Sequence, residues 1–273
     1  MEEDVSASRS VFQRTPGVRG MIRLPGITEL ISEGKGKKVY GTEDPDLAVF
    51  FFKDEAMAFH GLKRGKIVGK GEVNNIVCQH VFTMLRENGI ENHFVRRLDP
   101  RQCLVRRCDM LPFTVKIRNR AAGTLANRLS CPVGTVMDPP VLEFSLKFTE
   151  VEGEDTLINS YHIAAMKMAT AAEVEEITAI SKRVNELLTA YLHEINIELI
   201  DFKLEFGRHK GKILLADEIS SDTSRFWDAK THEPLDIDRF RRDLGDVAEA
   251  YQEVLHRMMG MDEEDVNLNG SRQ

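Results

Sequence analysis

The stretch that most constrains the fold of this chain runs from Leu199 to Trp227 and predicts two strands joined by a tight turn. Over Leu199–Phe206, apolar and charged residues alternate with a period of two, which is typical of a strand with two different faces. The apolar face is predicted to hold Ile200, Phe202, Leu204 and Phe206. The opposite face is predicted to hold Asp201, Lys203 and Glu205.

A returning strand is predicted to pair with this first one. His209-Lys210-Gly211 is expected to turn the chain, and the apolar run Lys212–Ala216 predicts the second strand. If the strands pair, Glu205 and Asp217 come close together, and two carboxylates with cations nearby suit a magnesium–nucleotide site. A solvated hairpin face with charges paired across the strands explains the same alternation, so both interpretations are open at this point.

Composition narrows the class of protein. The chain has 273 residues and a net charge of −7, so it offers no basic excess for a nucleic-acid partner. The sequence contains no apolar run long enough to predict a membrane span, and its acidic, polar start lacks the apolar core of a secretory signal. The four cysteines lack zinc-ligand spacing and are interpreted as reduced thiols, so we expect a cytoplasmic protein.

The pattern along the chain predicts four parts. We expect a disordered arm over 1–21, an N-terminal nucleotide-binding domain over 22–111, a substrate and metal domain with C-terminal helices over 112–262, and a tail over 263–273. Helical periodicity is clear in 72–88 and in 171–196. We expect 54–60 to be a loop or helical turn, 63–70 to be mobile, and 109–112 to link the two domains. Pro132, Pro139 and Pro140 are expected to bound a further loop.

Two other segments carry residue types that suit anionic ligands. Between two predicted strands, Gly34 and Gly36 allow close backbone approach while Lys35 and Lys37 add positive charge, as phosphates require. A basic surface hairpin is the alternative interpretation of this loop. Farther along, Arg118, Arg120 and Thr124 precede a short predicted helix and are candidates for phosphate contact, unless Arg120 simply packs in the structure.

Five ordered blocks together resemble the SAICAR synthetase family, the phosphoribosylaminoimidazole-succinocarboxamide synthases of de novo purine biosynthesis. The blocks are GKGKKVY at 34–40, GEVNN at 71–75, RNRAAGTLANRL at 118–129, IDFKLEFG at 200–207 and ADEISSDTSRFWD at 216–228. They follow the family's order and spacing across about 28–260, which is far more specific than any one block.

The resemblance implies an α+β fold in which ATP lies between two domains. The small antiparallel N-terminal domain is expected to be similar to a protein-kinase N-lobe, and the larger domain to the ATP-grasp fold. The implied reaction joins the carboxylate of the azole ribotide CAIR (carboxyaminoimidazole ribotide) to the amine of L-aspartate. It consumes ATP, uses Mg²⁺, and gives SAICAR, ADP and phosphate. A homodimer is also expected.

The resemblance also implies roles for individual residues. By similarity, Lys35 and Lys37 lie over the ATP phosphates, and Arg106 and Met110 line the adenine pocket. Glu205 and Asp217 are expected to hold Mg²⁺, and Arg118, Thr124 and Arg225 to bind the ribotide 5′-phosphate. Asp201 and Lys203 are expected to be the catalytic pair, which faces the imidazole and its carboxylate.

Two segments depart from the family pattern. Lys147, Asp155 and Asn159 align with the amino-acid side of the family's site, but Thr156 stands where the family usually has proline, and the loop is longer. Ser221 likewise replaces the proline of a usual Ser-Pro-Asp segment. These departures leave a specialised paralogue, acting on a related azole ribotide or C-nucleotide carboxylate, as an alternative. A kinase-like phosphotransferase and a catalytically silent nucleotide-binding module are two further alternatives, although the kinase HRD and DFG patterns are missing.

Overall fold

A computed structural model describes residues 26–58, 62–147 and 156–260 of the chain. The predicted arm over 1–21 and tail over 263–273 lie outside the described residues, as does Asp155. No helix within the described ranges combines the length and apolarity that crossing a membrane requires.

The described strands, in chain order, are β1 (Ile27–Glu33), β2 (Lys37–Thr42), β3 (Leu47–Phe52), β4 (Glu55–Ala58), β5 (Lys63–Lys66), β6 (Phe94–Arg97), β7 (Gln102–Arg106), β8 (Asp109–Arg120), β9 (Val136–Leu146), β10 (Leu157–Ile158), β11 (Ile197–His209), β12 (Lys212–Ala216) and β13 (Ser224–Asp228). The helices are α1 (Lys70–Glu87), α2 (Thr124–Leu129), α3 (Ser160–Ala165), α4 (Ala171–Glu194), α5 (Asp238–Arg241) and α6 (Val247–Met259).

The strands form two main antiparallel sheets. The first has the order β1-β2-β3-β7-β6, and the second has the order β10-β9-β8-β11-β12, with β13 also pairing with β11. A separate hairpin is made of β4 and β5. Helix α4 packs on β11 and β8, while α1 packs on α6 and on the first sheet. This arrangement confirms the predicted α+β class.

One apolar core runs through both sheets. It includes Phe52 and Phe82 beside the first sheet, Phe113 and Phe202 in the second, and Leu188 from α4, each with at most 1% of its surface exposed. Because burial of apolar area dominates folding, this shared core fixes the sheets against each other and sets the cleft between them.

The predicted hairpin is confirmed, with one difference in its turn. Glu205 pairs with Ala216, so the carboxylates of Glu205 and Asp217 are brought to the same end of the hairpin. The turn itself is two residues, Lys210 and Gly211, with φ angles of 51° and 78°. Two consecutive positive φ values are typical of the two-residue hairpin turn, and His209 is therefore the last residue of β11.

The predicted apolar face of this strand is wrong at one position. Phe202, Leu204 and Phe206 enter the main core, but Ile200 packs with Ala122 and Trp227 in a separate small cluster. The pairing of β11 with β13 is irregular between Leu199 and Asp201. Because a bulge shifts the alternation of faces by one residue, Ile200 lies on the opposite side from Phe202.

Four further predictions about local structure need correction. Part of the segment predicted as a loop over 54–60 is strand β4, and part of the segment predicted as mobile over 63–70 is strand β5, which pairs with β4. Residues 109–112, predicted as a linker, form the start of β8. Pro139 and Pro140, predicted to bound a loop, lie inside β9, which begins at Val136.

The two predicted long helices are confirmed with small shifts in their ends. Helix α1 is followed by Gly89 with a φ of 84°, the left-handed conformation that glycine provides after a helix. Helix α4 begins at a capping box in which Thr170 and Glu173 each bond the other's backbone N–H. Helix α1 therefore covers 70–87 instead of the predicted 72–88, and helix α4 covers 171–194 instead of 171–196.

Candidate active site

A cavity of about 910 Å³ lies between the two sheets. Its wall includes residues that are far apart in sequence but were predicted to act together. The predicted site residues in this wall are Lys35, Lys37, Arg106, Met110, Arg118, Thr124, Lys147, Asp201, Lys203, Glu205, Asp217 and Arg225. The fold therefore brings together almost the whole of the predicted site.

The glycine-lysine loop between β1 and β2 closes one side of this cavity. The Gly34 amide donates to the Lys37 carbonyl at 2.9 Å, and the Lys53 amide donates to the Gly36 carbonyl at 2.8 Å. A Cβ added at Gly36 would lie 3.0 Å from Oδ2 of Asp222. Glycine at position 36 is therefore needed for this loop to approach the segment that follows β12.

Opposite that loop lies a set of paired charges that we call the lysine cluster: Lys37, Lys147, Lys203, Glu205, Asp217 and Glu218. Lys37 Nζ lies 2.5 Å from Asp217 Oδ1 and 2.9 Å from Glu218 Oε1. Lys203 Nζ lies 2.7 Å from Glu205 Oε1 and 3.5 Å from Asp217 Oδ2. Lys147 Nζ lies 2.6 Å from Glu205 Oε2. The two carboxylates predicted to hold a metal ion thus share one lysine.

In the lysine cluster, Asp217, Lys37 and Lys203 have shifted pKa values, and each shift favours the charged form of the side chain. Burial opposes the carboxylate of Asp217, but the ammonium groups of Lys37, Lys203 and Lys147 outweigh it and hold the pKa of Asp217 well below its usual range. Burial likewise opposes the charge on Lys37, but Asp217 and Glu218 raise its pKa well above normal. The pKa of Lys203 is also raised, because Asp217 and Glu205 outweigh its burial.

Asp217 has a left-handed backbone conformation, which aspartate adopts more readily than most residues with a Cβ but less readily than glycine. Its φ is 64°, in the left-handed region that residues with a Cβ seldom adopt. It directly follows Ala216, the last residue of β12, and its carbonyl oxygen lies 2.9 Å from Nε2 of the buried His93. Burial lowers the pKa of His93 to about 4, so this imidazole is neutral near pH 7.

A second set of charges, the arginine cluster, adjoins the cavity and consists of Arg118, Arg128, Arg225, Arg241, Glu143, Asp201 and Asp238. Four of them, Arg118, Arg225, Arg241 and Asp201, line the cavity wall. Arg118 donates to Glu143 at 2.7 Å and to Asp201 at 3.1 Å. Arg225 donates to both oxygens of Asp201, at 2.9 and 2.7 Å, and to Asp238 at 2.7 Å. Arg128 also pairs with Glu143, and Arg241 with Asp238. Cations and carboxylates therefore alternate along one continuous chain.

The neighbouring Arg120 is outside this arrangement. Its guanidinium pairs with Glu198 at 2.5 Å and donates to the carbonyl of Gly134 at 2.9 Å. The interpretation of Arg120 as a packing residue is therefore the better one. Thr124 is exposed at the first turn of α2, beside Gly123, where an added Cβ would lie 2.7 Å from Nη2 of Arg225.

An apolar section of the cavity adjoins the glycine-lysine loop. Its wall includes Ile31, Val39, Ala48, Val105 and Met110, the last of which is 40% exposed. Arg106 lies at the edge of this section and donates to the carbonyl of Asn92 at 3.1 Å. Aliphatic walls of this kind suit a flat aromatic ring such as adenine.

Asn159 is not among the residues that line the cavity. Its side-chain oxygen accepts from the amides of Tyr161 and His162, at 3.1 and 3.2 Å, and so caps α3. A helix cap explains its position without a ligand. Among the described residues, no group of three or more His, Cys, Asp or Glu side chains forms a ready metal site.

Sequence reasoning missed several residues of the cavity wall. Asp222 accepts from the buried Lys70 at 2.5 Å and from the buried Tyr251 at 2.6 Å, which connects α1, the segment after β12 and α6. Glu218 and His93 were also missed. Glu218 and Asp222 lie inside the sequence block at 216–228, and Lys70 directly precedes the block at 71–75, which is a usable signal. Nothing in the sequence near Tyr251 or His93 indicates a place at the site.

Comparison with known proteins agrees with this geometry. Residues 30–258 match the SAICAR synthetase family. A phosphoribosylaminoimidazole-succinocarboxamide synthase of Thermoanaerobacter sp. (strain X514) is 49% identical over 233 residues, covering 85% of this chain and 98% of its own length. The enzyme of that name from Brevibacillus brevis is 50% identical over 233 residues, covering 85% of this chain and 97% of its own length.

Solved structures give the same result at the level of the fold. A phosphoribosylaminoimidazole-succinocarboxamide synthase from Ehrlichia chaffeensis superposes with a TM-score of 0.82 at 37% identity, covering 86% of this chain and 100% of its own. A SAICAR synthetase in complex with ADP also superposes with a TM-score of 0.82, at 42% identity, covering 86% of this chain and 99% of its own.

Proposed function

This chain belongs to the SAICAR synthetase family, and from that membership we propose that it is an ATP-dependent carboxylate–amine ligase of purine biosynthesis. It joins the carboxylate of CAIR to the amine of L-aspartate and gives SAICAR, ADP and phosphate. The observation that carries this proposal is the cavity between the sheets, in which a lysine cluster and an arginine cluster flank the same strand, β11.

The chemistry explains why a ligase needs so many cations in one cavity. A carboxylate is a poor acyl donor because its oxygen is a poor leaving group, so this oxygen first attacks the γ-phosphorus of ATP, forming an acyl phosphate as ADP leaves. The aspartate amine then attacks the acyl carbon, loses a proton, and expels phosphate. Because most reacting groups are anions, catalysis depends on positioning and charge stabilisation. Lys35 and Lys37 are suited to the ATP phosphates, and Lys203 to the reacting carboxylate.

The lysine cluster also fits a magnesium ion. Mg²⁺ is usually held by one or two carboxylates together with substrate phosphates, and Glu205 and Asp217 supply two carboxylates at one end of a hairpin. When bound, the ion would neutralise phosphate charge as the γ-phosphoryl group transfers. Lys37, Lys147 and Lys203, which pair with these carboxylates, would then be free to contact anionic substrate groups.

The arginine cluster is suited to the 5′-phosphate of the ribotide. Arg118 and Arg225 present guanidinium forks, and Thr124 adds a hydroxyl beside Arg225. Both arginines pair with Asp201, so a phosphate would compete with this carboxylate. On this proposal Asp201 bridges the two forks and fixes their positions, and it faces the imidazole of the bound ribotide.

The amine donor is assigned to the wall that carries Lys147. A dicarboxylic amino acid needs a cation at this point, and Lys147 is at hand because its ammonium pairs with Glu205, a carboxylate of the metal pair. We keep Asp155 and Asn159 as candidates for this side of the site. We further propose that the first sheet corresponds to a kinase-N-lobe-like domain, that the second corresponds to an ATP-grasp-like domain, and that the protein forms a homodimer.

The test is a direct assay of the reaction. Purified protein is incubated with ATP, Mg²⁺, CAIR and one amino acid at a time, and the products are identified by mass. We expect SAICAR and ADP with L-aspartate, and neither product when ATP or CAIR is omitted. ATP hydrolysis without any amide product would contradict the proposal, and product formation with a different amino acid would contradict the assignment of aspartate.

A further inference from the structure

The wall of the cavity contains one imidazole, that of His93, to which the proposed reaction gives no role. His93 precedes β6, and its residue is only 2% exposed. Nε2 lies 2.9 Å from the backbone oxygen of Asp217. Because a carbonyl oxygen can only accept, Nε2 must carry the proton, and His93 is a hydrogen-bond donor to the backbone of a proposed metal ligand.

The imidazole ring is held firmly in this orientation. It makes edge contacts with the rings of Phe50 and Phe82, with centroids 5.2 and 5.4 Å away. Its own backbone is fixed as well, since the His93 amide donates to the carbonyl of Leu215 at 2.9 Å and its carbonyl accepts from Arg106 at 2.7 Å. His93 therefore connects the first sheet to the end of β12 through both its backbone and its side chain.

The acceptor of this hydrogen bond is in a conformation that requires support. Asp217 has a φ of 64°, and a residue with a Cβ keeps such a conformation only where its surroundings determine it. Its carboxylate meets Lys37 and Lys203, so contacts on the side chain and the bond on the backbone act on the same residue from two directions. Without the backbone bond, the peptide after Asp217 could rotate toward an ordinary conformation, and the carboxylate would turn with it.

We propose that His93 is a positioning residue of this enzyme, which holds the backbone of Asp217 so that its carboxylate is presented to the metal–nucleotide complex. The inference rests on the proposed function, because it takes Asp217 as a ligand of that complex. An ordinary buried histidine would stabilise the fold equally well through any carbonyl. What distinguishes His93 is that its acceptor is the left-handed residue whose carboxylate lies in the cavity wall.

Three variants separate positioning from stability. His93→Phe keeps an aromatic ring against Phe50 and Phe82 but removes the donor. His93→Gln keeps a donor that can reach the same carbonyl. Phe94→Leu is the matched control, since Phe94 is a buried neighbour whose ring stacks on Phe82, with centroids 6.4 Å apart, and it does not line the cavity.

For each variant, the dissociation constant of ADP is measured by calorimetry with and without Mg²⁺, alongside the unfolding temperature, kcat, and KM for each substrate. We expect His93→Phe to reduce the Mg²⁺-dependent gain in ADP affinity about 10-fold, the effect of losing one well-placed hydrogen bond. We expect kcat to fall by at least as much, while KM for the ribotide stays within about twofold. His93→Gln should remain within about threefold of the parent, and Phe94→Leu should lower the unfolding temperature without changing the Mg²⁺ effect.

The calorimetric measurement keeps this inference separate from the proposed function. If the parent protein makes no SAICAR but binds ADP more tightly with Mg²⁺, the proposed function fails while the variants still test His93. An unchanged Mg²⁺ effect in His93→Phe would overturn the inference. So would an equal loss in His93→Phe, His93→Gln and Phe94→Leu that follows their unfolding temperatures, because that pattern is the signature of a purely structural role.

Discussion

The two charged clusters both include residues of strand β11, but the cations of one are lysines and those of the other are arginines. The lysine cluster sets three ammonium groups against Glu205, Asp217 and Glu218. The arginine cluster sets four guanidinium groups against Glu143, Asp201 and Asp238. A lysine is a compact charge on a flexible stem, whereas an arginine fork fixes the direction of its bonds. From this comparison we expect the lysine cluster to exchange partners during a reaction and the arginine cluster to anchor a substrate in one orientation.

The largest effect should come from removing a carboxylate of the lysine cluster. We expect Glu205→Gln and Asp217→Asn each to reduce turnover about 1000-fold or more, because a neutral amide keeps the shape but weakens a bound Mg²⁺ that stabilises charge in the transition state. The measurement is kcat over a range of Mg²⁺ concentrations, with circular dichroism to confirm folding. Near-normal turnover with a normal Mg²⁺ requirement would show that the metal assignment is wrong.

Truncation in the arginine cluster should act on one substrate only. We expect Arg118→Ala to raise KM for the ribotide about 10- to 100-fold, corresponding to about 1.5–3 kcal/mol for a charge-assisted bond to phosphate, and to change KM for ATP by less than about twofold. Arg120→Ala is the matched control, because Arg120 stands on the same strand but pairs with Glu198 outside the cavity. If both variants raise the ribotide KM equally, the result would contradict the proposal that the arginine cluster anchors the ribotide.

Lys147 tests whether the lysine cluster serves the amine donor as well. We expect Lys147→Ala to raise KM for aspartate about 10-fold while KM values for ATP and ribotide change little, because a dicarboxylate loses its cation on that wall. Lys212→Ala, at an exposed position of β12, serves as the control. Equal small changes in all three KM values would show that Lys147 does not bind the amine donor.

The last prediction concerns the dependence of stability on pH. Asp217 has a folded pKa below its usual value of 3.8, so its ion pairs stabilise the protein fully above about pH 4, and this stabilisation is lost as pH falls through the lower folded value. We expect Asp217→Asn to reduce the free energy of unfolding at pH 7 by about 1.5–3 kcal/mol, the size of hydrogen bonds to a charged group. Urea titrations from pH 7 to pH 2.5 should show this difference shrinking only below about pH 4. A difference that stays constant to pH 2.5 would contradict the shift.

Much of the fold was predictable because its strands and helices carry strong local patterns. The hairpin of β11 and β12, the glycine-lysine loop and the helices α1 and α4 each follow from residue spacing over a short stretch. The phase shift at Ile200 was not predictable, because the bulge arises from pairing with β13, more than twenty residues farther along the chain. Strand β5 has only charged residues and glycine, and its strand conformation depends on pairing with β4.

Two proline-containing segments were misread for a common physical reason. A proline cannot donate to a sheet, so prolines usually indicate a loop. Pro112 lies where the pairing of β8 with β11 is irregular, and Pro139 and Pro140 lie where the pairing of β9 with β8 is irregular. A strand tolerates proline at such points because no ladder hydrogen bond is required there. The sequence alone does not reveal where these irregularities fall.

Site residues were predicted correctly where several of them lie on one strand. They were missed where side chains from distant elements come together. Asp201, Lys203 and Glu205 share a strand, so their spacing indicated a common face. The bonds from Lys70 and Tyr251 to Asp222 join positions 152 and 29 residues apart, and the bond from His93 to Asp217 joins positions 124 residues apart. Contacts of this kind depend on tertiary packing, which no local pattern reports.

Strand β11 also fixes the distance between the two charged clusters. Asp201 belongs to the arginine cluster and Glu205 to the lysine cluster, and four residues of extended chain separate them by about 13 Å. This length is rigid, because β11 is paired on both sides by β8 and by β12 or β13. One residue inserted between Asp201 and Glu205 would lengthen the gap by about 3.3 Å and turn one set of charges toward the core. We therefore expect the cavity to select its substrate by length, and a molecule with only one anionic end to engage only one of the two clusters.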